Sequence, residues 1–189
     1  MPRLLDKILV VDIEATCWSG PAPPDQKSDI IEFGLVLVDV ATLQPEGKRS
    51  ILVRPTRSSV SDFCTKLTSL TQEDVDGGVS LRTACEILMR EYSSRSRLWA
   101  SYGDYDRRMV QQSCEALNAK YPFNRQHLNV KTLFAVSRGL PQEYSMANAL
   151  ASVGLPLEGT HHRGHDDAWN IAGLLAHTLK NGREIVSNR

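Results

Sequence analysis

Lys7-Ile-Leu-Val-Val-Asp12-Ile-Glu14-Ala-Thr16 is the stretch on which the fold turns. Ile8 to Val11 is an apolar, β-branched-rich run, and Ile30 to Val38 is a second, nearly continuous one. Such runs suit strands covered on both faces, as in the central sheet of an α/β domain. Arg49 to Arg54 reads as a third strand, joined to the second by the turn-rich Thr42 to Gly47, which favours antiparallel pairing. Ser80 is an N-cap candidate for a helix through Leu81, Ala84, Cys85, Leu88, Met89 and Tyr92, and Leu98 to Tyr102 follows as a fourth strand. Asp104 to Lys120 is expected to be helical, Leu128 to Thr132 a fifth strand, Met146 to Val153 a short helix, and Asp167 to Lys180 a helix stopped by Gly182. The order βββαβαβα, without repeats, predicts an α/β fold with a central mixed five-stranded sheet flanked by helices. Gly20-Pro-Ala-Pro-Pro24 is too short to link domains, so residues 1–189 read as a single domain.

Composition narrows the class. With 22 Lys+Arg against 22 Asp+Glu the formal charge is zero, which excludes a histone-like or polybasic tail protein. A hydrophobic share of 41% is that of an ordinary globule, and no apolar run reaches the roughly 20 residues of a spanning helix. The start, Met1 to Lys7, reads as neither a signal peptide nor a transit peptide. Cys17, Cys64, Cys85 and Cys114 contain no C-x-x-C pair and read as reduced, buried small hydrophobes in a cytoplasmic protein.

Asp12 and Glu14 follow the first apolar run, and the period of two puts both side chains on one face of the strand. Taken alone, a D-x-E pair is a strand end meeting water. Two further clusters change that, because helical phase resolves each of them. Asp106 shares a face with Met109, Val110, Cys114 and Leu117, whereas Asp104 lines up with Arg108, Gln111 and Gln112. Asp167 is in phase with Ile171, Leu174 and Leu175, while Asp166 follows Asn170, Gly173 and His177. Asp106 and Asp167 are therefore the inward acids. Asp12, Glu14, Asp106 and Asp167 would face one cleft, where four unpaired carboxylates cannot all stay ionised at neutral pH. No Lys or Arg is in phase to neutralise them, and hard oxygen ligands of this kind suit Mg²⁺ or Mn²⁺. Two such ions about 4 Å apart serve phosphoryl transfer, so a metal-dependent phosphodiesterase is expected.

His162, five residues before Asp167 in a polar, Gly-containing segment, has the chemistry to deprotonate a water near neutral pH. A surface histidine is the plain alternative, and the His161-His162 doublet leaves the register open by one residue. A zinc site at His161, His162 and His165 is a minor third reading, since no cysteine lies near.

Asp12-Ile-Glu14-Ala-Thr16, Gly103-Asp-Tyr-Asp106 opening a helix, and His162-Arg-Gly-His-Asp-Asp167 together resemble the three motifs of the DEDDh 3′-to-5′ exonucleases, which have a DnaQ-like, ribonuclease-H-like fold. Asp29-Ile-Ile-Glu-Phe33, Ser61-Asp-Phe-Cys64, Leu67-Thr-Ser-Leu-Thr71 and Asp166-Asp-Ala-Trp-Asn-Ile171 are similar to the enhanced-RNAi and histone-mRNA 3′ exonuclease branch. The resemblance implies Asp12, Glu14, Asp106 and Asp167 as ligands of two Mg²⁺ ions, with Mn²⁺ as a substitute, and His162 as general base. It also implies Ala15, Thr16, Phe63, Leu67 and Tyr105 as the border of the terminal nucleotide. A core role is the alternative for Phe63 and for Tyr105, which stands where the eukaryotic branch has tryptophan. The implied substrate is the 3′ end of single-stranded or overhanging nucleic acid, RNA before DNA, released as nucleoside 5′-monophosphates.

The expected protein is a monomer or homodimer with no membrane association and no partner protein specified by its sequence. No residues before Met1 supply the eukaryotic branch's separate nucleic-acid-binding domain, so stem-loop specificity is not expected. Zero net charge predicts a grip on only a few nucleotides. Arg54, Arg57, Arg107, Arg108 and Arg163 offer either a local basic rim or solvated helix faces. Two rival classes remain. A haloacid-dehalogenase-like phosphatase also opens on an acid at a strand end, although that family expects Asp where this chain has Glu14. A non-catalytic adaptor on the nuclease fold would show erosion of the five acid and histidine positions, all of which are filled here.

Overall fold

The computed structural model describes residues 4–187, with side chains to residue 182; the Met1–Arg3 start lies outside the described residues. Strands β1 (Leu4–Ala15), β2 (Ile30–Asp39), β3 (Pro45–Leu52), β4 (Arg97–Ser101) and β5 (His127–Asn129) form one sheet in the order β3-β2-β1-β4-β5. The first three are an antiparallel meander, and β4 and β5 add in parallel to β1 and β4. The sheet is therefore mixed and five-stranded, as expected. Helices α1 (Asp62–Thr68), α2 (Gln72–Asp76) and α3 (Leu81–Glu91) precede β4, and α4 (Tyr105–Ala116) follows it. After β5 come α5 (Val130–Ser137), α6 (Met146–Ser152) and α7 (Gly164–Ser187).

The alternation of β1 assigns its two faces. Leu9, Val11 and Ile13 pack with Leu81, Leu88, Met109 and Val110 of α3 and α4, while Ile8 and Val10 pack with α5, α6 and the α7 residues Ala168, Ile171 and Leu175. Each of the larger side chains so buried contributes roughly 1.5–3 kcal/mol. Continuing the even phase carries Asp12 and Glu14 onto the α7 side.

Several boundaries differ from the sequence expectation. The helix expected from Asp104 to Lys120 ends at Ala116. Leu128 to Thr132 is not one strand: β5 stops at Asn129, whose side chain caps the backbone N–H of Thr132 and starts α5. Helix α7 begins at Gly164, before Asp167, and passes through Gly182 to Ser187, since a helical glycine costs only about 1 kcal/mol. The turn between β2 and β3 is shorter than Thr42–Gly47, because pairing resumes at Pro45 opposite Val38. Cys64, Cys85 and Cys114 are buried free thiols, but Cys17 is only half-buried.

Candidate active site

Two backbone contacts bring the acidic segments together. Asp12 pairs with Gly34 on β2, and the start of α7 crosses directly over that rung. A Cβ placed on Gly34 would lie 1.8 Å from the carbonyl carbon of Gly164. A Cβ on Gly164 would in turn sit 3.2 Å from the Asp12 carbonyl oxygen. Two glycines facing each other thus let α7 approach the sheet closely enough for Asp167 to reach the β1 acids. From the other face, Asp106 in the first turn of α4 accepts the Ile13 backbone N–H at 3.1 Å. The β1–β4 ladder has run out there, its last pair being Val10 with Ala100, so the carboxylate takes over a hydrogen bond the strand no longer provides.

Oxygens of Asp12, Glu14 and Asp167 lie within 4.8 Å of one another. Asp106 stands outside that set, held on the Ile13 amide. Burial first, and then the charges of Asp106, Glu14, Asp167 and Glu32, push the Asp12 carboxyl well above its ordinary range. The Glu14 carboxyl is pushed up to about 9 by burial and by Asp167, Glu32 and Asp106, against a smaller pull from Arg163. Burial raises Asp106 to about 6, with the Ile13 N–H opposing. Carboxylates that repel one another this strongly in a partly dry cleft form a hole for a cation, and an all-oxygen donor set fits a hard divalent ion. The first turn of α7 holds Asp166 and Asp167 where the helix dipole favours negative charge.

This has a pH consequence for the metal-free protein. A carboxyl whose folded pKa lies above its unfolded value adds stability that is full below the unfolded pKa and is lost as pH rises through the folded one. Between pH 7 and 9, above the histidine range, the folded chain keeps a proton on Glu14 that the unfolded chain has lost. The melting temperature in EDTA is expected to fall across that interval, and Glu14→Gln or saturating Mg²⁺ should flatten the slope. An EDTA profile that is already flat would contradict the raised carboxyls.

The loop before α7 is ordered by the acids it carries. Asp167 accepts the His162 backbone N–H at 3.0 Å and faces Nδ1 of His161 at 3.1 Å. His162 has φ of 64°, a left-handed conformation that costs of order 1 kcal/mol and that histidine tolerates better than most residues. The two imidazoles stack with centroids 4.0 Å apart. Burial, and then the neighbouring His161, keep the His162 pKa below its ordinary value, which favours the neutral ring. His161, His162 and Asp167 also place one ligand atom each within 4.8 Å of one another. His165 is not part of that set: its Nδ1 is 2.9 Å from Glu32 Oε1. Glu32, fully buried, also accepts the Gly164 N–H at 3.0 Å. Burial alone would raise the Glu32 carboxyl, yet the Ser50 side chain, then His165, the Arg163 charge and the Gly164 N–H, hold it low.

The cleft has a volume of about 400 Å³. It is lined by Ala15 at the end of β1, by Cys17 and Leu67 beside it, and by Tyr105 at the start of α4, the last with 54% of its surface exposed. Thr16 and Phe63 do not line it. The Thr16 hydroxyl is buried, bonded to Ser58 at 2.7 Å and to the Asp29 N–H at 2.9 Å, and Phe63 is exposed outside the cleft. Neither expected core role holds for the aromatics, since both Phe63 and Tyr105 are exposed. On the β5 side the wall is Tyr102, Lys131, Ser145 and Met146, none of which the sequence pattern singled out. Asp104 is exposed as its phase predicts, but Asp166 is buried, accepting the Thr160 N–H at 2.8 Å and pairing with Lys48. Four of the five arginines expected near the site are engaged: Arg54 and Arg57 bind Asp76 O and Asp29, Arg163 reaches Glu32, and Arg107 pairs with Asp104. Among the described residues no helix is long and apolar enough to cross a membrane.

Comparison with known proteins places this geometry. The profile of the exonuclease family (RNase_T) matches residues 9–175. Over 93% of its length the chain is 30% identical to the 3′-5′ exonuclease Snipper of Drosophila melanogaster, of which it spans 70%. Over 97% of its length it is 29% identical to 3′-5′ exoribonuclease 1 of Homo sapiens, of which it spans 55%. The solved nuclease domain of 3′hExo, a DEDDh family member bound to rAMP, superposes with a TM-score of 0.86 at 28% identity, covering 96% of both chains.

Proposed function

The chain belongs to the exonuclease (RNase_T) family, with the DEDDh ribonuclease-H-like fold, and from that premise we propose that residues 1–189 act as one 3′-to-5′ exonuclease domain on RNA, or on single-stranded DNA, releasing nucleoside 5′-monophosphates. The observation that carries this reading is the meeting of Asp12, Glu14 and Asp167, from opposite ends of the chain, within 4.8 Å, with His162 beside them. Two divalent ions, Mg²⁺ or Mn²⁺, held by Asp12, Glu14 and Asp167 and by Asp12 with Asp106 close by, would supply positive charge to the phosphate under attack and to the departing 3′ oxygen.

The protein's own part is positional. Ala15, Leu67 and Tyr105 border the terminal nucleoside, the Tyr105 ring offering a face for base stacking. Thr16 contributes from behind that wall by bonding Ser58 and Asp29, which fixes the chain leaving β1. His162, its neutral ring favoured and its backbone pinned to Asp167, accepts the proton of the attacking water at an imidazole nitrogen. The relative solved with rAMP holds a 5′-monophosphate of the kind expected as product.

The test follows 5′-labelled single-stranded RNA, single-stranded DNA and an overhanging duplex over time with Mg²⁺, Mn²⁺ or EDTA. A ladder shortening from the 3′ end that EDTA abolishes is the expected result; internal cuts or activity in EDTA would reject it. Hydrolysis of p-nitrophenyl phosphate with intact oligonucleotides would favour a haloacid-dehalogenase-like phosphatase, and binding without turnover an adaptor. His162→Ala should lower the rate by about 10²–10⁴-fold, the range for a lost general base. His161→Ala should retain most activity, and the reverse order would transfer the proton to His161.

A further inference from the structure

Lys131, in the first turn of α5, is the one Lys or Arg among the described residues that line the cleft. It is half-buried, and its ion-pair partner Glu143 lies 3.6 Å away and exposed, a loose contact that an anion can displace. The groups bearing most on Asp12 are all acids, and the cation bearing on Glu14 is Arg163. The cleft therefore has one positive side chain, at the start of the helix after β5, held only by an exposed partner.

The topology says what reaches that wall. Cys17 and Leu67 lie on the β2 side of β1, where α1 packs on Ile31; Asp12, Glu14 and Ala15 end β1 itself, and Tyr105 opens α4 after β4. Lys131, Tyr102 and Met146 follow β4 and β5 on the other side. With the terminal nucleoside between Leu67 and Tyr105 and the cut bond over the acids, the remaining strand leaves toward the edge strand β5 and the cation that follows it. We propose that Lys131 binds the 5′ phosphate of the penultimate nucleotide, the first phosphodiester beyond the one cut, with Tyr102 and Met146 bordering that nucleotide. This assignment rests on the exonuclease reading above. An ammonium on a flexible stem suits a phosphate that must advance by one unit after each turnover, because it makes no fixed bidentate pair.

Two dinucleotides isolate the contact: UpU carries only the bond to be cut, and pUpU adds the phosphate in question. Wild type should show a KM for pUpU lower than for UpU by about 10-fold, the scale of one charge-assisted hydrogen bond. Lys131→Ala and Lys131→Gln should bring that ratio close to one, and Lys131→Arg should preserve it. On longer single strands, Lys131→Ala should make the slope of log affinity against log salt shallower by about 0.7. A pUpU preference that survives Lys131→Ala, or that wild type lacks, overturns the assignment. Failure of wild type to shorten any oligonucleotide from its 3′ end is a different result and removes the exonuclease reading itself.

Discussion

Asp167→Asn is expected to lower the rate of 3′-end hydrolysis by at least about 10³-fold while leaving the fold intact. Asp167 belongs to both convergent ligand sets, so its loss removes an oxygen from each. The amide oxygen of asparagine can still accept the His162 N–H, now made at 3.0 Å, which keeps the loop before α7 in place. Removing the charge also relieves repulsion, because Asp167 is among the groups that raise Asp12 and Glu14. In EDTA the variant should melt at the wild-type temperature or above it, and Mg²⁺ should no longer raise that temperature. Activity within tenfold of wild type would reject Asp167 as a ligand. A lowered melting temperature in EDTA would show instead that its role is to hold the loop.

Gly34→Ala should damage stability and activity together. The new Cβ would sit 1.8 Å from the Gly164 carbonyl carbon and 2.3 Å from the His165 nitrogen, both backbone atoms that cannot rotate aside. Restoring ordinary contact moves the start of α7 off the sheet by well over an ångström. Overpacking of that kind costs about 1–3 kcal/mol or more, and a catalytic misplacement of about 1 Å costs on the order of 10²-fold in rate. Asp167 is only three residues beyond the contact, so both losses are expected, read by thermal melting and by the ladder assay. Gly173→Ala is the control. That glycine also lies on α7, but a Cβ there meets nothing within 4 Å, and the exchange should stabilise by about 0.5–1 kcal/mol. A Gly34→Ala protein with wild-type melting and turnover would contradict the close approach.

How much could be read in advance divides along physical lines. The strands β1, β2 and β4 were legible because buried, apolar runs fix both the element and its place in the sheet. The inward direction of Asp106 followed from helical phase, since the stripe of Met109, Val110 and Cys114 is buried in the structure. Phase failed for Asp166, because it states where a side chain points relative to its own helix. It does not state that the Gly159–Thr160 loop and Lys48 will fold over it. Helices α1 and α2 were missed since seven and five residues are too few to display a 3.6-residue period. Their caps at Ser61 and Thr71 were the available signal. Lys131 was lost with α5, because Leu128 to Thr132, with Leu128 and Val130, read as a strand continuing past Asn129. Glu32 and Gly34 act through contacts with Gly164 and His165, more than 100 residues away, and no local pattern announces such a pair.

Asp12 and Asp167 bracket almost the whole chain, and only the docking of α7 on the Asp12–Gly34 rung makes them neighbours. Closing so long a loop is expected to come late in folding, after the meander that presents β1 has formed. The mutual repulsion of the carboxylates is therefore absent from the nucleus and belongs to the native side of the barrier. It is expected to quicken unfolding and leave the refolding rate alone, so that charge crowding at the site shortens the lifetime of the metal-free protein without slowing its formation.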